Sequence, residues 1–132
     1  MSEALATAVK AAIDAQLGTA AASYDIDDVP GLNGNTGTLP FRYVEIGVSR
    51  RYTEPDRGDA MPSFIGYRIT TRAVAKNITD ARNLRRLTGL ALENKALTVS
   101  GQTSTPVAFE TEDPIAPDED RYSGLTYWTT VI

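Results

Sequence analysis

The 132-residue sequence contains no cysteine and no histidine. Without cysteine the chain forms no disulfide and offers no thiolate, which suits a reducing cytoplasm. Without histidine it lacks the side chain most often used as a general base and as a metal ligand. Phosphate-binding loops, Gly-x-Ser-x-Gly elements and dinucleotide-binding glycine patterns are also missing. We therefore expect a protein that is not an enzyme, with no catalytic residues, no cofactor and no metal site.

Long apolar runs are missing as well. No stretch approaches the roughly 18 apolar residues of a membrane-spanning helix, and the first residues lack the pattern of a secretory signal. An acidic cluster, Asp25, Asp27 and Asp28, lacks the spacing of an EF-hand calcium loop. The net charge of −4 opposes contact with a phosphate backbone. We expect no membrane partner and no direct, sequence-specific nucleic-acid partner.

The charges are unevenly distributed along the chain. Residues 42–86 contain ten Lys or Arg against five Asp or Glu, whereas residues 110–120 contain six acids and no base. The acidic segment of one subunit could therefore pair with the basic segment of the next, since complementary charge gives an interface register and specificity. The alternative interpretation is a solvated mixture of surface charges.

Apolar periodicity predicts two helices. The first ends before Gly18 and buries four residues at four-residue spacing, Leu5, Val9, Ile13 and Leu17. The second runs from about Asp80 to about Lys95, with Asn77 or Thr79 as its N-cap. Its apolar stripe comprises Ala81, Leu84, Leu87, Thr88, Ala91 and Leu92. Within this helix Gly89 is either a tolerated defect or a close contact with another subunit, and the off-stripe Leu90 would be an apolar contact beside it.

Alternation with a period of two predicts strands at residues 41–52, 63–75 and 122–132, and shorter strands near 20–26, 97–99 and 106–110. The first two long strands should form an antiparallel hairpin. Long loops are expected at about 27–40, 53–62 and 111–121. This order of elements predicts one α+β domain over residues 1–132, with a mainly antiparallel sheet of four to five strands and two helices on one face.

Several stretches resemble the tail terminator (tail completion) proteins of long-tailed bacteriophages. They are the N-terminal helix with Tyr24-Asp25 and Val29-Pro30, the proline-led strand at 40–47, the strand at 67–74, and the helix at 81–92 followed by Leu97-Thr98-Val99. Together they cover most of the chain. The resemblance implies a structural virion protein that caps the end of the tail tube as a ring, typically of six subunits. Such a ring stops tube polymerisation and provides the joining surface for the head connector.

The resemblance also implies partners and a location. The partners would be further copies of the chain, the major tail tube protein and the head-tail connector protein. The location would be the tail-neck junction of the virion, and the host cytoplasm before assembly. Two alternative functions remain open at this point, a head-closure or neck adaptor protein and a small cytosolic ligand-binding or enzymatic α+β domain.

A cyclic ring requires heterologous contacts, which charged loops can provide. From the residues themselves we expect interface positions in two loops and on the second helix. They are Arg50, Arg51, Glu54, Asp56, Arg57 and Asp59 in the first loop, Glu112, Asp113, Asp118, Glu119 and Asp120 in the second, and Leu90.

Overall fold

The computed structural model describes residues 2–53 and 65–132. Its helices are α1 (Ser2–Leu17) and α2 (Ile78–Leu92). In chain order its strands are β1 (Ala22–Asp25), β2 (Arg42–Thr53), β3 (Ile65–Ala75), β4 (Thr98–Val99), β5 (Gln102–Thr103), β6 (Ala108–Glu112), β7 (Ala116–Asp118) and β8 (Arg121–Val131). β4 and β5 form a separate two-stranded ribbon, and the other six strands form one sheet. The predicted α+β fold is confirmed, with more strands than expected.

The order of strands across the main sheet is β1-β2-β3-β8-β6, and β7 pairs with β8 beside β6. β1 runs parallel to β2, whereas the other pairings are antiparallel, including the predicted hairpin of β2 and β3. A parallel neighbour is possible because the long connection after β1 returns the chain to the same end of the sheet. β1 and β6 therefore lie at opposite edges of the sheet.

Both helices cover one face of the sheet, and the apolar core lies between the two layers. α1 lies over β1 and β2, and α2 lies over β3 and β8. The four apolar residues predicted for α1 are all buried. In α2 the predicted stripe is buried except for the half-buried Leu87. The buried side chains of both helices pack on the sheet against side chains such as Val44, Ile69 and Trp128.

Two predicted boundaries need correction. α2 begins at Ile78 and ends at Leu92, because Asn77 caps its first turn and Asn94 has a left-handed φ of 60° that stops the helix before Lys95. The predicted loop at 111–121 instead contains the end of β6 and the short strand β7. Pro117 is tolerated in β7 because this strand pairs on only one side, with β8.

The sheet face away from the helices, here called the outer face, is covered by described residues at one end only. The predicted loop at 27–40 packs there and buries Val29 against Tyr43 and Val74. Tyr24, Leu32 and Leu39 are half-buried around this second cluster. Most of the predicted loop at 53–62 lies outside the described residues. No helix of the described chain has the length and apolar character needed to cross a membrane.

Candidate assembly surfaces

One charge cluster lies on the open part of the outer face, where the alternation of β3 exposes Arg68. The guanidinium of Arg68 donates two hydrogen bonds to Glu110, from Nη2 to Oε1 at 2.8 Å and from Nε to Oε2 at 3.3 Å. Arg51 Nη2 lies 3.6 Å from the same carboxylate. The hydrogen bonds from Arg68 lower the pKa of Glu110, and the pKa of Arg68 is raised in turn. This bidentate contact holds the middle of β6 to β3, in the centre of the sheet.

A second cluster lies four residues along β3, around Arg72. Its Nε is 3.9 Å from Glu45 Oε2, and its Nη1 is 3.7 Å from Asp118 Oδ2. Burial raises the pKa of Glu45, and the attraction to Arg72 does not offset it. Asp118 also accepts a hydrogen bond from Ser123 Oγ at 3.1 Å. The cluster joins β2 and β3 to the hairpin of β7 and β8.

Two further arginines donate hydrogen bonds to backbone carbonyls. Arg85 Nη2 donates to the carbonyls of Asp113, at 2.6 Å, and Leu125, at 3.2 Å, while its Nε lies 3.7 Å from Glu112. Arg121 is 8% exposed, and its Nη1 donates to the carbonyls of Pro40 and Phe41 at 2.6 and 3.0 Å. These contacts hold the acidic segment on α2 and hold the start of β8 on the loop before β2.

The basic and acidic segments found in the sequence thus meet within one subunit. Glu110, Glu112 and Asp118 each pair with an arginine of β2, β3 or α2. The sequence suggested this charge complementarity as a contact between subunits. It did not reveal the strand order, in which β6 and β7 lie next to β8 and β8 pairs with β3. Asp113, Glu119 and Asp120 are exposed and form no ion pair with another described residue.

Some of the remaining predicted interface positions are exposed, and the others lie outside the described residues. Arg50 and Arg51 are exposed near the end of β2, where the register with β3 shifts between Arg50 and Tyr52. Leu90 is 51% exposed on α2, as its position off the apolar stripe predicts. The others, Glu54, Asp56, Arg57 and Asp59, lie outside the described residues.

An apolar groove runs between α2 and β6. Leu90 and Phe109, 46% exposed, lie in it, and Phe109 packs edge-on against Trp128 with ring centroids 5.9 Å apart. Gly89 faces Trp128 of its own subunit, because a Cβ at Gly89 would lie 3.9 Å from Trp128 Cη2. Charged residues line the rim, namely Arg85, Arg86, Glu93, Lys95 and Glu112. We call this surface the α2–β6 groove.

The opposite edge of the molecule is acidic. A hollow between α1 and β1 is lined by Glu3, Asp25 and Asp28, and Asp27 and the 52%-exposed Ile26 lie in the same turn. We call Glu3 and residues 25–28 the acidic edge. Among the described residues, no cluster of three or more carboxylates is arranged to hold a metal ion. Sequence reasoning treated the aspartates only as candidate calcium ligands and missed that Ile26 is exposed among them.

The one lysine beside the acidic edge is already paired. Lys10 Nζ lies 2.6 Å from Asp14 Oδ2, and Asp14 Oδ1 accepts hydrogen bonds from the backbone N and Oγ of Ser23 at 2.8 and 2.7 Å. Burial acts to raise the pKa of Asp14, but the hydrogen bonds from Lys10 and Ser23 outweigh it and hold the pKa below its usual value. The network fixes α1 to β1 and leaves the acidic edge with a net negative charge.

No family model and no curated protein matches this sequence. Its fold is similar to that of a chain in a solved structure described as "Virion of native gene transfer agent (GTA) particle". The TM-score is 0.69 at 19% sequence identity, and the match covers 98% of this chain and 95% of that chain. The likeness therefore extends over nearly the whole of both chains and is a likeness of fold.

Proposed function

We propose that this chain is a structural virion protein, not an enzyme, that caps the end of a tail tube as a ring. In this role it stops tube polymerisation and provides the joining surface for the head connector. The observation that carries the proposal is the shared fold, over 98% of this chain, with a chain of a virion particle. The stretches that resemble tail terminators lie in α1, β1, the loop after β1, β2, β3, α2 and β4, and these elements include both helices and half of the strands of the main sheet.

The distribution of surface features supports an assembly role. Exposed apolar side chains lie at both edges of the molecule, Ile26 at one edge and Leu90 and Phe109 together in a groove at the other. Two neighbouring exposed apolar side chains with a charged rim are typical of a protein–protein contact. The open outer face adds a second surface, which leaves different parts of the subunit for its neighbours, the tube and the connector.

The proposed capping role is tested by measuring the length of tail tubes. The major tail tube protein of the same particle would be polymerised with and without this protein and imaged by negative-stain electron microscopy. A terminator yields shorter tubes with a ring at one end, because a capped end adds no further subunits. Tubes of unchanged length without bound rings would contradict the proposal.

The same experiment separates the alternative, a head-closure or neck adaptor protein. An adaptor would leave the length of growing tubes unchanged and would bind purified heads through their connector. Isolated heads therefore serve as the second binding target. Binding to heads alone would favour the adaptor, and binding to neither target would favour a function outside the virion.

A further inference from the structure

We propose that the acidic edge of one copy of this chain docks in the α2–β6 groove of the next copy. The inference deepens the proposed function and rests on it for the closed ring, since it names the two surfaces through which neighbouring subunits meet. The occupant of the groove is thus a second copy of this chain. The contact is argued from topology, from charge and from exposed apolar surface.

The two surfaces lie at opposite ends of the same layer. The acidic edge combines α1 with β1, and the α2–β6 groove combines α2 with the other edge of the sheet. α1 and α2 pack side by side on the sheet, each over its own half. A contact between opposite ends is heterologous, so each subunit offers one surface to each neighbour. Such a contact closes into a ring when the rotation between subunits permits it.

The charges of the two surfaces are complementary. At the acidic edge Glu3, Asp25, Asp27 and Asp28 form no ion pair with another described residue. At the groove Arg86 and Lys95 form no ion pair with a described carboxylate, and Glu112 is already paired with Arg85. Glu93 is the one acid of the rim without an ion pair in the described chain. Unpaired acids therefore face unpaired bases when copies meet edge to groove.

Apolar side chains complete the match. Leu90 and Phe109 leave about half of their surface in water, and so does Ile26 at the other edge. In both places the apolar side chains have charged neighbours, acidic around Ile26 and mainly basic around Leu90. This is the arrangement of an interface with an apolar centre and a charged rim.

Cross-linking gives a direct test, because the chain has no cysteine of its own. The double variant Thr7→Cys/Glu93→Cys, which places one thiol at each surface and keeps the complementary charges, would be treated with a short bismaleimide, in concentrated solution and on tail tubes. We expect a ladder of covalent oligomers on a denaturing gel, whereas either single variant should stay monomeric. Glu119→Cys/Glu93→Cys is the matched control, since Glu119 lies exposed in the turn between β7 and β8 and belongs to neither surface. Absence of the ladder under both conditions would overturn the proposal.

Charge reversal gives an independent test. Asp27→Lys/Asp28→Lys and Arg86→Glu/Lys95→Glu should each lose the ladder when introduced into the cross-linking pair Thr7→Cys/Glu93→Cys. An equimolar mixture of the two reversed proteins should restore it, because each reversed surface then meets its complement. Glu119→Lys/Asp120→Lys makes the same change of charge at the turn between β7 and β8 and should leave the ladder intact.

The outcomes also separate this contact from the proposed function. A reversed pair that keeps its ladder, or a mixture that stays monomeric, would overturn the contact while tubes can still be capped. Unchanged tube lengths with an intact ladder would overturn the capping role and leave the contact standing. Thermal unfolding of each variant shows that the substituted chains are folded.

Discussion

Substitution of alanine should have opposite effects on stability at Gly124 and at Gly89, because the space available for an added Cβ differs. At Gly124 an added Cβ would meet Arg85 Nη2, and it would lie 3.2 Å from Ile115 Cα. Backbone atoms of Ile115 cannot yield as a side chain can, and Arg85 is held by two carbonyls. At Gly89 the nearest atom of the sheet is at ordinary contact distance, 3.9 Å.

We expect Gly124→Ala to lower the free energy of unfolding by about 1–3 kcal/mol through overpacking. Gly89→Ala should raise it by up to about 1 kcal/mol, because alanine is the better helix former. Urea denaturation measures both. A Gly124→Ala protein as stable as the parent would mean that Arg85 and the segment beside it move freely. If Gly89→Ala is stabilised but no longer assembles, the glycine serves a contact with another subunit as well.

The residue scale also includes a pH dependence at Asp14. A lowered pKa contributes stability that is fully present above the unfolded value of 3.8 and is lost as the pH falls through the folded pKa. We expect Asp14→Asn to lower the free energy of unfolding at pH 7 by about 1–3 kcal/mol, because charge-assisted hydrogen bonds are lost. The difference from the parent should shrink below pH 3.8. Thermal melts from pH 7 to pH 2 measure it.

Glu45 serves as the matched control, because its pKa is shifted in the opposite direction from that of Asp14. Its pKa is raised above 4.5, chiefly by burial, so the folded state gains stability as the pH falls through that pKa and loses it as the pH rises. Glu45→Gln should therefore leave stability at pH 7 unchanged or higher. An Asp14→Asn deficit that persists at pH 2 would show that the lost contact is not the carboxylate charge.

At the scale of elements, the start of α2 shows which of two candidate caps is used. Asn77 Oδ1 accepts a hydrogen bond from the backbone N of Asp80 at 2.8 Å, and Asn77 has the extended backbone of an N-cap. Thr79 lies inside the first turn. Asp80 adds a negative charge near the positive end of the helix dipole and lies 3.4 Å from Arg42.

We expect Asn77→Ala to destabilise the protein by about 1 kcal/mol, because an orphan N–H of the first turn loses its acceptor. Thr79→Ala should change stability by less than about 0.5 kcal/mol, as is usual for an exposed position. Urea denaturation of the two variants checks the assignment. Equal losses would contradict Asn77 as the sole cap.

The elements also show what the sequence could and could not predict. α1, α2 and the hairpin of β2 and β3 depend on local periodicity, so their residues were visible in the chain. β7 could not be predicted in this way, because its three residues, one of them a proline, are too few to show the alternation of a strand. They form a strand only by pairing with β8. The pairing of Glu110 and Asp118 depends on strand order, which is a property of the whole sheet. For the same reason the α2–β6 groove was only half predicted, through Leu90 and not through Phe109.

At the scale of the whole molecule, the two edges differ in charge and share exposed apolar surface. Exposed ion pairs weaken as salt rises, since the Debye length falls from about 10 Å at 0.1 M to about 3 Å at 1 M. Apolar contacts are not screened in this way. A ring built on both should therefore weaken with salt and fail when its apolar centre is removed.

We expect Leu90→Asp to abolish self-association at any salt concentration and to leave the melting temperature within a few degrees, because the side chain is already half exposed. Light scattering across protein concentration and salt measures the solution mass. Gln102→Asp, an exposed change of the same charge on β5, is the control. A Leu90→Asp protein that assembles like the parent would place the subunit contact elsewhere.

The position of β8 has a consequence for synthesis on the ribosome. β8 follows β1 to β7 in the sequence, yet it lies inside the sheet between β3 and β6. While translation proceeds, β3 has an unpaired edge, and β6 and β7 have no strand to join until residues 121–131 emerge. Non-local pairing of this kind closes late. The β6 side of the α2–β6 groove therefore forms only after residues 121–131 have emerged and paired, so we expect a nascent chain to lack the complete groove until then.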